Sequence, residues 1–168
     1  MSPFERAKQL ESVVGNRTMR ALIQRVKWAK VAVDGKTVGE IGPGILTFLG
    51  IKNTDTEKEV DWTILKVSKL RIFEDDAGKM NLSLLDLQAT GNQMGHLIVS
   101  QFTLYGDTEQ GNRPGFAEAA RPDIAQKLYE KALAISRGLG IETQAGTFQA
   151  HMEVSLLNDG PATFWVES

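Results

Sequence analysis

Two short segments of the sequence hold the residues that are best placed to do chemistry. The first, Asn158-Asp159-Gly160-Pro161-Ala162-Thr163, sets Asp-Gly-Pro between two apolar, β-forming runs near the end of the chain. Its glycine can adopt backbone angles that other residues avoid, and its proline has no amide to donate to a sheet. The segment predicts a short, stiff turn between two strands. That turn is either an ordinary hairpin turn or a binding turn that exposes its own amides and carbonyls.

The second segment, Ser100-Gln101-Phe102-Thr103-Leu104, closes an apolar run in the middle of the chain. Side chains that usually support catalysis are not assembled around it. The two histidines, His96 and His151, fall on different predicted strands without acidic residues at metal-ligand spacing, whereas a zinc site needs three or four ligands. The phosphate-binding, hydrolase and metalloprotease motifs are missing as well. We therefore expect no metal and no cofactor, and we expect both histidines to be structural or exposed.

Composition limits the class of protein and of partner. The chain has 168 residues, no cysteine and a net charge of −2, which suits one globular domain without disulfides or thiol chemistry. No apolar run has membrane-spanning length, and the N-terminus lacks a signal-peptide core, so we expect a cytoplasmic protein. Proteins that grip long nucleic acids are usually basic. An RNA partner would therefore be contacted over a small, end-on area, or by basic residues gathered on one face.

Turn and periodicity signals indicate the elements that position the two segments. Strands are predicted at residues 20–26, 31–33, 37–39, 45–51, 71–73, 96–104, 141–148, 152–157 and 163–166. Asp34-Gly35 marks a hairpin. One helix is predicted from Thr54, with Glu57 completing a capping box. A second opens at Arg121-Pro122-Asp123 and should bury four apolar residues, Ile124, Leu128, Leu133 and Ile135.

These elements predict an α/β fold. A mixed, largely antiparallel sheet forms a barrel-like core, and the two main helices lie outside it. Residues 1–18 look like an N-terminal extension carrying a short amphipathic helix, because Ser2-Pro3-Phe4-Glu5 has capping-box spacing. Residues 19–168 then form the main domain.

Together, SQFTL in mid-chain, NDGPxT near the C-terminus and an N-terminal IQRV strand resemble the D-aminoacyl-tRNA deacylases, over about Met19 to Val166. The resemblance implies a metal-free homodimeric hydrolase that removes D-amino acids, and also glycine, from the 3′ end of tRNA. Two departures are Ala162, where the family more often has valine, and Gly115, where serine is common.

The resemblance also implies roles for individual residues. Catalysis falls to Ser100, Gln101, Phe102 and Thr103, whose backbone amides face the developing oxyanion. Thr103 is a nucleophile or a water-orienting group, or else a plain strand residue. A covalent role is the weaker option, since it would need a base that is not nearby in the sequence.

Substrate binding falls to a second set of residues. Gly160-Pro161 matches a Gly-cis-Pro element that reaches into the partner subunit's pocket and excludes L side chains. Arg25 would fix that element, or else is a solvated strand residue. Phe148 and Met152 match positions that line the adenosine pocket, and they can also serve core packing.

Two other functions remain open from the sequence. The chain can be a non-catalytic module that binds tRNA 3′ ends, which the missing acid–base groups favour. It can also be an esterase for small D-amino-acid derivatives, which its acidic composition favours.

Overall fold

The computed structural model of the chain describes residues 18–168. The N-terminal extension helix predicted within residues 1–18 therefore falls outside the described residues, apart from Thr18. No helix in the described part of the chain is long and apolar enough to span a membrane.

Strands dominate the described residues, with three helices and one 3₁₀ turn between them. The elements in chain order are β1 (Arg20–Val33), β2 (Lys36–Ile41), β3 (Gly44–Gly50), α1 (Glu57–Lys69), β4 (Phe73–Glu74), β5 (Met80–Leu82), α2 (Leu84–Ala89), β6 (Gly95–Ser100), the 3₁₀ turn (Phe102–Tyr105), α3 (Pro122–Gly138), β7 (Glu142–Ala145) and β8 (Glu153–Glu167).

The main sheet is organised around β1. Strand β8 runs antiparallel along one side of β1, and β3 and then β2 run antiparallel along its other side. Strands β3, β6 and β7 are parallel to one another. A Cβ atom placed on Gly39 of β2 would lie 2.2 Å from the carbonyl oxygen of Ala145 in β7, so the two edges of the sheet nearly meet. The predicted mixed, barrel-like sheet is confirmed.

Apolar side chains form two separate cores on the two faces of this curled sheet. One core joins the sheet to the helices; among its members are Ile23, Ile45, Ile98, Ile64 and Leu128. The other core is built from residues of the sheet and of the loop between β7 and β8; among its members are Val26, Val31, Leu46, Leu97 and Val99. Successive side chains of a strand point to opposite faces of the sheet, so β3 and β6 contribute residues to both cores. This explains why their sequences are unbroken apolar runs.

The helices differ from the sequence prediction in detail. The capping box of α1 is formed by Thr56 and Glu59, two residues later than predicted, with the Thr56 amide donating to the Glu59 carboxylate. Glu57 lies in the first turn of α1 instead, where its negative charge interacts favourably with the positive end of the helix dipole. Helix α2 was not predicted, although Ser83 and Asp86 give it a capping box. In α3, Ile124 is exposed rather than buried.

Candidate active site

Strand β6 ends at Ser100, not at Leu104 as predicted, and the chain continues as the 3₁₀ turn. The Gln101 amide still donates to the carbonyl of Leu49 in β3, at 2.8 Å, and the turn begins immediately after this bond. Gly50 makes the fold-back possible, because a Cβ atom there would lie 2.9 Å from Cβ of Leu104. The turn therefore packs against the end of β3, where Gly50 has no side chain.

The start of the turn presents two unused hydrogen-bond donors. Within residues 18–168, the amides of Phe102 and Thr103 donate to no other group of the chain, as is usual for the first amides of a helical turn. The Gln101 side-chain amide donates to the Thr103 hydroxyl oxygen. Two adjacent free amides at an exposed turn form a site that can hold a carbonyl oxygen or an oxyanion.

An aromatic pair borders these amides. Phe102 and Phe116 contact each other edge to face, with ring centroids 5.0 Å apart, and both residues are partly exposed, by 57% and 41%. Residues Asp107 and Gly115 exchange two backbone hydrogen bonds, of 2.7 and 3.0 Å, which close the intervening loop and lead the chain back to Phe116. The result is an apolar wall beside the two donors.

The segment Asn158–Thr163 is not a turn between two strands, so the hairpin expectation is wrong. Both flanks belong to β8 and pair with β1: Thr163 pairs with Gln24, and Asn158 pairs with Val26. The four residues 159–162 therefore bulge out opposite the single residue Arg25. We call residues 159–162 the bulge. Its Gly160-Pro161 peptide bond is cis.

Asn158 closes the base of the bulge. Its side-chain oxygen accepts from the Ala162 amide at 3.2 Å, and its side-chain nitrogen donates to the Thr163 hydroxyl at 2.8 Å. These two contacts explain why Asn and Thr flank the Asp-Gly-Pro sequence.

Arg25 lies beneath the bulge and is almost fully buried, with 6% of its surface exposed. Its Nη1 donates to the carbonyl of Ile72 at 2.7 Å, and its Nε donates to the carbonyl of Asp159 at 3.1 Å. The Asp159 carboxylate lies 3.6 Å from Nε. Gly160 has φ of +130°, and a Cβ atom there would lie 2.9 Å from Nη2 of Arg25. Arg25 is thus a buried anchor, which excludes the alternative of a solvated strand residue.

Within one chain, the 3₁₀ turn and the bulge lie far apart along β1. Arg20 of β1 is paired with Gly50, at the end of β3 against which the 3₁₀ turn packs. Arg25, beneath the bulge, is paired with Ile45. Five residues of extended strand span about 17 Å, at ~3.4 Å per residue. The bulge and the turn of a single chain therefore do not form one pocket.

Phe148 and Met152 lie in the loop between β7 and β8, and both are half-buried. The Phe148 ring stacks on Tyr129, with ring centroids 6.1 Å apart, and packs on the core beneath the helices. Met152 packs on the second core. The Tyr129 hydroxyl donates to the carbonyl of Ile98, two residues before Ser100. This bond ties the Phe148 side of the loop to the strand that ends in the 3₁₀ turn.

The histidines take no part in either motif. His96 is fully buried: its Nε2 meets the Thr47 hydroxyl at 2.7 Å and its Nδ1 meets the Ser136 hydroxyl at 3.2 Å. Burial lowers the pKa of His96 to about 3, so the ring is neutral at physiological pH. His151 is exposed. In the described part of the chain, no three His, Asp or Glu side chains are grouped to hold a metal ion.

Sequence reasoning missed the residues that hold the two motifs in place. Asn158 and Thr163 stand inside the quoted motif, but their mutual contact depends on the bulge. Arg20 donates from Nη1 to the carbonyl of Leu104 at 2.8 Å. Its signal in the sequence, a lone basic residue at a strand start, is too common to be informative.

Comparison with known proteins gives a consistent result. The profile of the family described as D-Tyr-tRNA(Tyr) deacylase matches residues 22–167. A D-aminoacyl-tRNA deacylase of Fusobacterium nucleatum is 53% identical over 150 residues, covering 89% of this chain and 96% of that protein. Another, of Desulfatibacillum aliphaticivorans, is 54% identical over 150 residues, covering 89% and 99%.

Solved structures share the fold. The structure of the c-Myc DNA Unwinding Element Binding Protein superposes with a TM-score of 0.80 at 37% identity, covering 89% of this chain and 98% of that one. A probable eukaryotic D-amino acid tRNA deacylase superposes with a TM-score of 0.78 at 17% identity, covering 90% and 100%.

Proposed function

The chain belongs to the D-Tyr-tRNA(Tyr) deacylase family, and from this premise we propose how its two motifs divide the work of the enzyme. The enzyme hydrolyses the ester bond between a D-amino acid and the 3′ end of tRNA, a proofreading step of translation. We infer that it acts in the cytoplasm, on aminoacylated tRNA.

The 3₁₀ turn supplies the chemistry, and its two free amides are the observation that carries the proposal. Water attacks the ester carbonyl carbon, the carbonyl oxygen becomes an oxyanion, and the amides of Phe102 and Thr103 donate to it. The bond to the ribose oxygen then breaks, and that oxygen takes up the proton that the attacking water has lost. Ser100 and Gln101 set the end of β6 and thereby the direction of the amides.

A side-chain base is not required for this reaction. An aminoacyl ester is already reactive, and the neighbouring ribose hydroxyl of the substrate can position the water. Gln101 donates to the Thr103 hydroxyl, which supports Thr103 as an orienting group rather than a nucleophile, because a nucleophilic hydroxyl needs a base as its partner.

The bulge selects the stereochemistry of the substrate. Carbonyl groups of Gly160 and Pro161 accept from the α-amino group of the amino acid, and their bulk leaves no space for an L side chain. Arg25 keeps this backbone rigid through the Asp159 carbonyl. The filter acts by exclusion, so glycine is also a substrate.

We propose that the bulge of one subunit completes the pocket of the other in a two-fold homodimer. The separation of about 17 Å between the motifs along β1 supports this arrangement, since both must contact one amino acid. Phe148 and Met152 hold the terminal adenosine, beside the strand that bears the turn. The contact with RNA is small and end-on, in agreement with a net charge of −2.

The function is tested with three substrates under single-turnover conditions: D-Tyr-tRNA, L-Tyr-tRNA and D-tyrosine methyl ester. We expect rapid release from D-Tyr-tRNA and little from the other two. Binding of D-Tyr-tRNA without release would identify a non-catalytic tRNA 3′-end module. Equal turnover of the methyl ester would identify a small D-amino-acid esterase.

The homodimer is tested by mixing two inactive variants, one altered in the turn (Phe102→Pro) and one in the bulge (Gly160→Ala). After subunit exchange, half of the dimers are mixed, and each mixed dimer has one intact site, so about a quarter of the wild-type sites return. A monomer that is fully active at micromolar concentration, or a mixture without recovered activity, would contradict a shared site.

A further inference from the structure

The carboxyl-terminal side of the 3₁₀ turn is held by a cluster that the reaction described above does not use. Arg20, at the start of β1, reaches the turn and donates from Nη1 to the carbonyl of Leu104 at 2.8 Å. The guanidinium carbon also lies 4.4 Å from the centre of the Tyr105 ring. One side chain therefore contacts the last two residues of the turn.

Arg20 is itself fixed by β8. Its Nε lies 3.4 Å from the Glu167 carboxylate, and its guanidinium carbon lies 5.8 Å from the Trp165 ring centre. Trp165 donates from its indole nitrogen to the same carboxylate at 2.9 Å. A planar guanidinium can make a carbonyl bond, an ion pair and a stacked ring contact at once in a fixed geometry, whereas an ammonium group is a compact point charge without this planar fork.

The ring that Arg20 covers is a neutral phenol. Burial raises the pKa of Tyr105 well above its usual value, and the carboxylate of Asp55 acts in the same direction. The contact between Arg20 and Tyr105 is therefore a cation over an aromatic face, not an ion pair with a phenolate.

Few other hydrogen bonds hold the turn, although its last residue, Tyr105, is buried and packs beside Gly50. Its first residue follows the Gln101-to-Leu49 bond, and its interior bonds are Leu104 to Gln101, at 3.3 Å, and Gly106 to Thr103, at 3.0 Å. Phe102 and Thr103, in the first half of the turn, are exposed, so a shift of the turn's backbone would move their amides. The bond from Arg20 to Leu104 provides the second anchor.

We propose that Arg20 is a positioning residue for the reaction: it locks the 3₁₀ turn so that the amides of Phe102 and Thr103 face the oxyanion. This inference rests on the proposed function of the turn. Arg20 acts through the backbone and contacts no reacting atom. A misplacement of about 1 Å at a reacting centre can lower a rate about 100-fold, so loss of the second anchor should reduce the rate of the chemical step more than substrate binding.

The test compares Arg20→Met and Arg20→Lys with Arg121→Met, in which an exposed arginine paired with Asp123 is lost. Single-turnover deacylation of D-Tyr-tRNA is measured over a range of enzyme concentrations, which separates the maximal rate from the half-saturating concentration. We expect Arg20→Met to lower the maximal rate about 10- to 100-fold with a nearly unchanged half-saturating concentration. Arg20→Lys should recover only part of the rate, and Arg121→Met should behave as wild type.

Two further measurements keep the inference falsifiable if Arg20→Met is poorly folded. Glu167→Gln leaves Arg20 in place but removes its ion pair, and should lower the maximal rate by a smaller factor. Millimolar guanidinium chloride should raise the rate of Arg20→Ala and leave that of wild type unchanged. An unchanged maximal rate in Arg20→Met, or a defect only in half-saturation, would overturn the inference.

The design separates this inference from the proposed function. If wild-type protein does not release D-tyrosine from tRNA, the function itself is wrong. If wild type is active and every Arg20 variant matches it, the function stands and only the positioning role fails. Melting temperature and oligomeric state are measured for each variant, so that a rate loss from unfolding or dissociation is recognised.

Discussion

The 3₁₀ turn and the bulge are both held by an arginine of β1, but in different ways. Arg20 has a side chain that is 33% exposed and holds the turn from its edge, whereas Arg25 is 8% exposed and lies beneath the bulge. Arg20 is braced by two aromatic rings and a carboxylate. Arg25 mainly contacts main-chain carbonyls, one of which, that of Ile72, lies outside the bulge.

The proposed function assigns opposite backbone groups to the two regions. In it, the free amides of the turn bind the developing negative charge, and the carbonyls of Gly160 and Pro161 bind the positively charged amino group. Backbone groups would then recognise both the reacting ester and its α-amino group, so that the position of the backbone sets the specificity.

The largest effect expected from the bulge is stereochemical. An L-methyl group would overlap the Gly160-Pro161 backbone and displace the amino group from its carbonyl partners. Lost polar contacts in such a site cost about 1–3 kcal/mol each, so L-alanyl-tRNA should be hydrolysed more slowly than D-alanyl-tRNA by several decades. Glycyl-tRNA, which has no side chain on either face, should be accepted. Single-turnover deacylation of the three tRNAs under matched conditions measures this order.

The glycyl substrate serves as the internal control, because it differs from both alanyl substrates only by a methyl group. If glycyl-tRNA is as inert as L-alanyl-tRNA, the pocket recognises a D side chain directly. The bulge would then not act by exclusion.

The next largest effect should come from removing one amide of the turn. Phe102 is the first residue of the 3₁₀ turn, a position that tolerates proline. Phe102→Pro therefore deletes a single N–H group, and loss of one oxyanion donor typically lowers a rate about 10²- to 10³-fold. Phe102→Ala, which keeps the amide but removes the exposed ring, is the matched control for single-turnover rates. Equal losses in the two variants would assign the effect to the ring instead.

How well the sequence predicted each region follows from what decides its shape. The β1–β2 hairpin at Asp34-Gly35 was correct, because a local turn signal determines it. The prediction of a hairpin turn at the bulge was wrong, because Asp-Gly-Pro between two apolar runs fits either a chain reversal or a bulge. Only the pairing of both flanks with β1 decides between them.

The turn was missed for a related reason. Phe102, Thr103 and Leu104 continue the apolar, β-forming run of β6, so the periodicity predicts more strand. The chain turns instead because Gly50 of a neighbouring strand leaves space for Leu104 and because Arg20 donates a hydrogen bond to the Leu104 carbonyl. Both causes lie about fifty or more residues away in the sequence, as the numbering shows.

Replacing the buried arginine should sharpen the contrast between the two anchors. Arg25→Met leaves the Ile72 and Asp159 carbonyls without their donor, which typically costs about 1–3 kcal/mol of folding free energy per group. We expect lower stability, roughly 10- to 100-fold slower release of D-tyrosine, and a smaller ratio of D to L rates, because the filter loses its support. Arg20→Met should instead keep the D to L ratio. Denaturant unfolding and deacylation of both D- and L-Tyr-tRNA provide the measurements.

The outcome that would break this contrast is equally clear. If Arg25→Met slows D- and L-tyrosine release in the same proportion, Arg25 supports the pocket in general and not its stereochemical filter. Arg25→Lys retains the charge but not the two separated donors, so it reports whether charge alone is sufficient.

The smallest effect is expected at Thr103, although it carries the exposed hydroxyl of the turn. Its oxygen already accepts from the Gln101 amide, and no carboxylate or imidazole of residues 18–168 is hydrogen-bonded to it. An acceptor without a base cannot become an efficient nucleophile. Thr103→Ala leaves the amide in place, so single-turnover release of D-tyrosine should fall by less than about 10-fold. Thr103→Ser, which keeps the hydroxyl, is the control for packing. An acyl-enzyme trapped on Thr103 by rapid quenching, or a loss in Thr103→Ala as large as that in Phe102→Pro, would show that the hydroxyl takes part in bond formation and that the backbone does not act alone.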